Sequence, residues 1–439
     1  MKLKKRFVCK ECGCVSNSWL GKCPECNSWS SFIEEIIEER SKKNEISSNL
    51  IKPVKIQEIQ TSINDVIKLN EENLNIFFGE GLIIGSIILL AGEPGIGKST
   101  FLFFLSNYIE RNRKVFYFSG EESSVQIKKR FDRVGHDDSS VFVSNISDIN
   151  SIIELCKNDK PSFLFIDSIQ TTYSTDVDSG PGTISQIKKC TQLLVEFAKT
   201  TGIIIIIVCH ITKSGEIAGP KIMEHMVDVV TYFESDFKNQ FRVLRSKKNR
   251  FGNIDEILFF EMESKGLQLI TNPSTFFIEN ESIEKFNGKC KTVIIEGKRP
   301  LMIDIEALVV PSSYPNPRRF SEGVELSRLN RIVAIIDKHL NENLNNYDIY
   351  LNIAGGIKTS DVGIDLAIAS AIFSSKNKIE IKSSTVFIGE LSLTGQVKKV
   401  YKIENRIKES EKFGCYTIYS PNDGENKIKD ITFIKEIVL

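Results

Sequence analysis

Between residues 61 and 270 the chain shows a series of short apolar runs: Ile87–Ala91, Val115–Ser119, Phe163–Ile166, Ile203–Val208, Val229–Phe233 and Phe241–Arg245. Runs this short, mostly without alternation, predict strands buried on both faces. Helical patterns fall between most of the earlier runs, Phe101–Glu110 among them. Such alternation predicts an α/β domain: a mostly parallel sheet with helices on both faces and ligand chemistry at the strands' carboxyl ends. From about residue 275 the pattern changes. Strands at Thr292–Glu296, Met302–Leu308, Tyr350–Ile353 and Thr385–Gly389, with helices at Ser327–Leu340, Asp361–Ser374 and Ile403–Phe413, predict an α+β domain. Residues 33–60 are charged and mixed and read as a solvated linker. The expected organisation is therefore a short segment at 1–32, a linker at 33–60, an α/β domain at 61–272 and an α+β domain at 275–439.

Composition narrows the classes. Lys plus Arg (57) equals Asp plus Glu (57), so any nucleic-acid surface must be local. The apolar runs fall far short of the ~20 residues that cross a bilayer. The basic start (Lys2, Lys4, Lys5, Arg6) has no apolar stretch behind it, so no signal peptide is expected. A soluble, cytoplasmic protein is expected. Five of ten cysteines crowd into the first 26 residues. Cys9-x-x-Cys12 and Cys23-x-x-Cys26 have the spacing of a four-thiolate zinc site, and so short a segment needs a metal to hold its fold. Cys14 is a spare thiol or a substitute for Cys12. Trp19 and Trp29 are expected to pack around the site.

The strand at Ile87–Ala91 runs into Gly92-Glu93-Pro94-Gly95-Ile96-Gly97-Lys98-Ser99-Thr100, which fits the phosphate-binding loop G-x-x-x-x-G-K-[ST]. Backbone N–H groups and a helix N-terminus would cradle ATP phosphates. Lys98 would meet the β/γ-phosphates and Ser99 would ligate Mg²⁺. Phe163–Ile166 ends in Asp167, a Walker-B pattern placed to hold Mg²⁺. Ser119-Gly120-Glu121-Glu122 ends another strand; Glu121 is the first candidate to polarise the attacking water and Glu122 the second. His210 closes Ile203–Cys209 and is either a γ-phosphate sensor or a structural hydrogen bonder. The following loop, with Lys213 and Lys221, is a candidate nucleic-acid contact, as is a glycine-bearing loop at Thr172–Thr183. Ser246-Lys247-Lys248-Asn249-Arg250 reads as a basic turn. Lys248 and Arg250 could act as finger residues on a neighbouring subunit's nucleotide.

Together these segments resemble the bacterial RadA (Sms) family of DNA-repair proteins. The resemblance rests on Phe7–Cys12, Trp19–Cys26, Gly92–Thr100, Ser119–Ser123, Ile166–Thr171, His210–Asp228 and Lys248-Asn249-Arg250-Phe251-Gly252, in order over the whole chain. It implies a RecA-like ATPase core, an N-terminal zinc finger and a C-terminal Lon-protease-like domain. It further implies a ring, a hexamer, that binds single-stranded and branched DNA, with RecA as partner. The implied activity is helicase-like branch migration and extension of strand exchange. Lys248 and Arg250 become trans-acting and DNA-linked residues, and Lys213 and Lys221 become DNA contacts.

Two other readings remain open: an ATP-dependent Lon-type protease, and an ATP-switched DNA clamp that does not translocate. Lon-type proteolysis needs a Ser nucleophile and a Lys base. Gly363 and Glu404 stand at those positions, so no peptidase activity is expected. Lys398, Lys399, Lys402 and Arg406 suggest a basic surface on this domain.

Overall fold

The computed structural model describes residues 3–10, 13–38, 55–56, 65–134, 140–211, 219–236, 241–278, 287–421 and 426–438. The chain forms two compact units. One comprises Met1–Ser235 with Arg242–Leu269; the other comprises Asp236–Phe241 with Ile270–Leu439.

The first unit opens with a three-stranded antiparallel sheet of β1 (Leu3–Cys9), β2 (Val15–Ser16) and β3 (Phe32–Glu38). β3 corrects the linker reading: residues 33–38 pair with residues 3–8 of β1, with Arg6 opposite Glu35 and Val8 opposite Ile33. Of the acids read as linker, Glu34 lies opposite Phe7, Glu35 opposite Arg6 and Glu38 opposite Leu3 in this register. Residues 39–54 and 57–60 of the expected linker lie outside the described residues.

The short hairpin strands β4 (Val66–Ile67) and β5 (Leu82–Ile83) flank α1 (Glu72–Phe78). Then come β6 (Ile87–Gly92), α2 (Lys98–Ser106), β7 (Val115–Ser119), α3 (Ser124–Val134), β8 (Val141–Ser144), α4 (Ile149–Asp159), β9 (Phe163–Asp167), α5 (Ile184–Thr201), β10 (Ile204–His210), α6 (Gly219–Met226), β11 (Val229–Asp236), β12 (Phe241–Asn249), β13 (Ile257–Glu263) and β14 (Gly266–Ile270). Among the described residues, nine strands form one sheet in the order β14-β13-β12-β11-β6-β10-β9-β7-β8. The strands from β11 through β8 in that order are parallel. The unbroken apolar runs have a simple cause. Ile88 and Leu90 feed a core on one face while Ile87, Leu89 and Ala91 feed a core on the other. β9 divides likewise, Phe163 and Phe165 to one side and Leu164 and Ile166 to the other. Both faces are covered, as in doubly wound sheets.

The second unit contains β15 (Lys289–Glu296), β16 (Arg299–Pro311), β17 (Arg319–Glu322), α7 (Leu326–Leu340), β18 (Tyr347–Ile353), α8 (Asp365–Asn377), β19 (Thr385–Phe387), β20 (Glu390–Leu391), β21 (Val397–Lys398), α9 (Ile403–Lys412), β22 (Thr417–Tyr419) and α10 (Phe433–Val438). Its main sheet runs β17-β18-β16-β15-β19-β22. α8 is buried from Asp365 through Ser375, so it is the unit's central helix. Among the described residues, no helix is long and apolar enough to cross a membrane.

Candidate nucleotide site and metal centre

β6 delivers the phosphate loop. Gly92 lies opposite Phe233 in the sheet, and a Cβ there would sit 2.5 Å from the Phe233 carbonyl oxygen. Gly97 has φ 114°, a conformation that L side chains rarely adopt. It caps α2 with no side-chain hydrogen bond, leaving the helix N–H groups for an anion. Lys98 is buried; its Nζ donates to Gly92 O at 2.9 Å and Glu93 O at 2.8 Å. Burial lowers its pKa to about 8, against the opposing pull of Asp167, Cys209 and Glu121. These donors suit a triphosphate: a buried lysine lies beside the uncapped N–H groups that open α2.

Parallel pairing sets the other groups beside this loop. Asp167 on β9 lies opposite Ser119 on β7, and His210 on β10 lies opposite Gly92 on β6. The two candidate acids then part company. Glu121 Oε1 accepts from Ser168 Oγ at 2.6 Å and lies 3.2 Å from His210 Nε2. These contacts, the His210 hydrogen bond foremost, hold its carboxyl at about 2. Glu122 instead pairs with Arg130 on α3. Gln170 fixes the end of β10 by donating to His210 O at 3.1 Å. Sequence reasoning missed Ser168, Tyr117 and Asp228. Tyr117 on β7 donates to Asp167 Oδ2, and Asp228 ties β6 to Arg250. Its Oδ2 accepts from Ile87 N at 3.1 Å and its Oδ1 from Arg250 Nη1 at 3.0 Å.

Lys248 and Asn249 lie on β12, which corrects the reading of this cluster as a turn. The strand continues through polar residues because distant partners satisfy them. Lys248 Nζ donates to Glu224 O at 2.6 Å and Val227 O at 2.8 Å, at the end of α6, and Asn249 Nδ2 reaches Phe78 O. Arg250 follows β12 and remains half exposed beside Asp228. Lys221 is exposed on α6; Lys213 lies outside the described residues. The 172–183 loop is fastened by the buried Gln186, whose amide donates to Ser174, Val177 and Ser179 carbonyls.

In the N-terminal sheet the metal-ligating atoms of Cys9, Cys23 and Cys26 lie within 4.8 Å of one another. Cys9 Sγ and Cys26 Sγ are 3.6 Å apart, close to the about 3.8 Å that tetrahedral zinc–thiolate bonds require. The thiolate set therefore fits zinc. Cys12 lies outside the described residues, and Cys14 packs beside the group without joining it. Trp19 and Trp29 do not pack around the site as expected. They are 56% and 74% exposed, with Lys22 over the Trp29 ring.

Comparison with known proteins follows the same division. Residues 7–34 match a rubredoxin metal binding domain, 53–216 an AAA domain and 322–423 subunit ChlI of Mg-chelatase. The DNA repair protein RadA of Bacillus subtilis is 41% identical over 442 aligned positions, covering 99% of this chain and 96% of its own. That of Listeria monocytogenes is 40% identical, covering 98% and 95%. The chain belongs to the RadA family of DNA repair proteins. Among solved structures, a KaiC-like protein of Pyrococcus horikoshii is similar over 46% of this chain and 99% of its own, at 17% identity and TM-score 0.38. This RadA family member thus combines a zinc ribbon, a RecA-like P-loop ATPase domain and a ChlI/Lon-like domain.

In the Lon-like domain, Gly363 faces a filled site. A Cβ on it would lie 2.6 Å from Arg406 Nη1 and 3.0 Å from Asp361 Oδ1. Arg406 is buried, contributes two hydrogen bonds to Asp361 and donates to Val293 and Tyr401 carbonyls. It belongs to the interior, which corrects its place in the expected basic surface. Glu404 is exposed on the first turn of α9.

Proposed function

We propose that this chain is a DNA-dependent ATPase of recombinational repair, a helicase-like motor that promotes branch migration and extends strand exchange with RecA. The observation that carries the reading is the placement of Lys98, Asp167, Glu121 and His210 at the carboxyl edge of adjacent parallel strands, in a chain of the RadA family. In this reading Gly92–Thr100 wraps the phosphates and Lys98 leaves its two carbonyls for the β/γ-phosphates. Ser99 and Asp167 hold Mg²⁺. The bound cation supplies neutralisation of charge that builds between the β- and γ-phosphates. Glu121 orients the attacking water. With a carboxyl as acidic as about 2 it is a weak base, so its contribution is alignment more than early proton removal. His210 reports the state of the site to the loop that follows it.

The protein works as a hexameric ring on single-stranded and branched DNA in the cytoplasm. Lys248 and Arg250 meet the nucleotide of the neighbouring subunit and couple hydrolysis to DNA. Lys213 and Lys221 contact the DNA backbone. The filled Gly363 site supports a scaffold role for the Lon-like domain. The decisive experiment is ATP hydrolysis with and without single-stranded DNA, beside Lys98→Ala. DNA stimulation that vanishes in the variant supports the motor. Hydrolysis indifferent to DNA refutes it, and DNA-stimulated hydrolysis without branch migration leaves only a switched clamp.

A further inference from the structure

Tyr117 is fully buried on β7, and its hydroxyl donates to Asp167 Oδ2 on the neighbouring strand. Its ring stacks on Phe103 of α2, with centroids 5.0 Å apart and planes 28° from parallel. α2 is the helix whose N-terminus carries the phosphate loop. One side chain therefore touches both the phosphate-loop helix and the carboxylate at the end of β9. Phe103 is itself held edge-on by Phe131 of α3, so the ring has a fixed backing.

Resting on the reading that Asp167 holds Mg²⁺, we propose that Tyr117 is a positioning residue for that cation: its hydroxyl fixes the orientation of the Asp167 carboxylate relative to the phosphate loop. The chemistry is specific to a phenol. A phenol keeps its proton at working pH, so the oxygen acts as donor to the carboxylate beside it. An ionised carboxylate offers about four acceptor positions, and one hydrogen bond leaves the others for a metal or its water. Asp167 is itself buried, so losing this donor leaves one carboxylate oxygen without the hydrogen bond that orients it. Outer partners of metal ligands orient them in this way, and losing one typically costs 10–100-fold in metal affinity.

The test is a Mg²⁺ titration of a fluorescent ATP analogue bound to the full chain, in wild type, Tyr117→Phe, Asp167→Asn and Phe103→Leu. Tyr117→Phe removes one oxygen and keeps the stacked ring. It should bind the analogue normally without metal, raise the half-saturating Mg²⁺ about tenfold or more, and regain turnover at high Mg²⁺. Phe103→Leu disturbs the stack but keeps the hydroxyl; it should lower the unfolding midpoint while leaving the Mg²⁺ midpoint within about twofold of wild type. An unchanged midpoint in Tyr117→Phe, with a shift in Asp167→Asn, overturns the proposal. Equal shifts in Tyr117→Phe and Phe103→Leu also overturn it, because packing alone would then explain both. No shift in Asp167→Asn removes the underlying assignment of Asp167 itself.

Discussion

Glu121 and His210 meet across the carboxyl edge of the sheet, Oε1 to Nε2 at 3.2 Å, while the adjacent Glu122 is paired with Arg130. Two acids adjacent in sequence are thus assigned to different tasks. Glu121→Gln should cut turnover by about 10²–10⁴-fold with nucleotide affinity retained. Glu122→Gln should keep turnover within a few-fold and act mainly on α3 through Arg130. Single-turnover hydrolysis and analogue binding separate the two. The sign of the pH effect is also fixed. A carboxyl lowered to about 2 is ionised at every working pH, so Glu121 puts no acid limb in the rate profile above about pH 3. Equal losses in the two variants would reject the assignment.

Lys98 gives a second pH signature. Burial holds its pKa at about 8, against an ordinary 10.5. Between those values the unfolded chain binds more protons, so the nucleotide-free protein gains stability as pH rises through that window. Phosphate binding acts in the opposite direction by restoring the charge. Above pH 8, ATP binding should take up about one proton and weaken about tenfold per pH unit until the bound-state pKa is reached. Calorimetry in two buffers of different ionisation heat measures the uptake. Lys98→Ala should abolish it, and uptake that persists in that variant would place the titrating group elsewhere.

What the sequence discloses follows from how local each signal is. Strands buried on both faces need no partner to be recognised, so β6, β7 and β9 are legible, and the phosphate loop with them. Lys248 sits in a polar run whose strand character depends on carbonyls at Glu224 and Val227, so the run reads as a turn. The acidic β3 becomes a strand only through its pairing with β1. Trp19 and Trp29 are poorly placed by sequence for the opposite reason: large apolar side chains are expected inside, and here they stand in solvent. The choice between Glu121 and Glu122 depends on Arg130 and His210, which pattern alone does not bring together.

The Gly363 site makes a prediction about proteolysis. Restoring a nucleophile by Gly363→Ser, with or without Glu404→Lys, should release no peptide from casein. The new Cβ would enter the space of Arg406, whose guanidinium is held by Asp361 and two carbonyls. Overpacking of this kind costs about 1–3 kcal/mol, so the unfolding midpoint of this unit should fall. Peptide release by either variant would show that Arg406 leaves the site readily.

Zinc removal tests whether the ribbon supports the DNA response without building the nucleotide site. Val8 of the ribbon packs with Ile184 of α5 and Ile222 of α6, alongside Ile33 and Met226. None of these belongs to the phosphate loop. α5 follows the loop fastened by Gln186, and α6 carries Lys221. A ribbon this small holds its fold through the metal, so chelation, or Cys23→Ser, should unfold it and uncover Ile184 and Ile222. Binding of an ATP analogue without DNA should survive within a few-fold, while DNA stimulation of hydrolysis should fall by tenfold or more. Zinc release followed with a chromogenic chelator, beside analogue binding and DNA-stimulated hydrolysis, gives the three readings in one preparation. If analogue affinity fell in step with zinc loss, the ribbon would be part of the nucleotide site. If DNA stimulation survived complete zinc loss, its contacts with α5 and α6 would be packing alone.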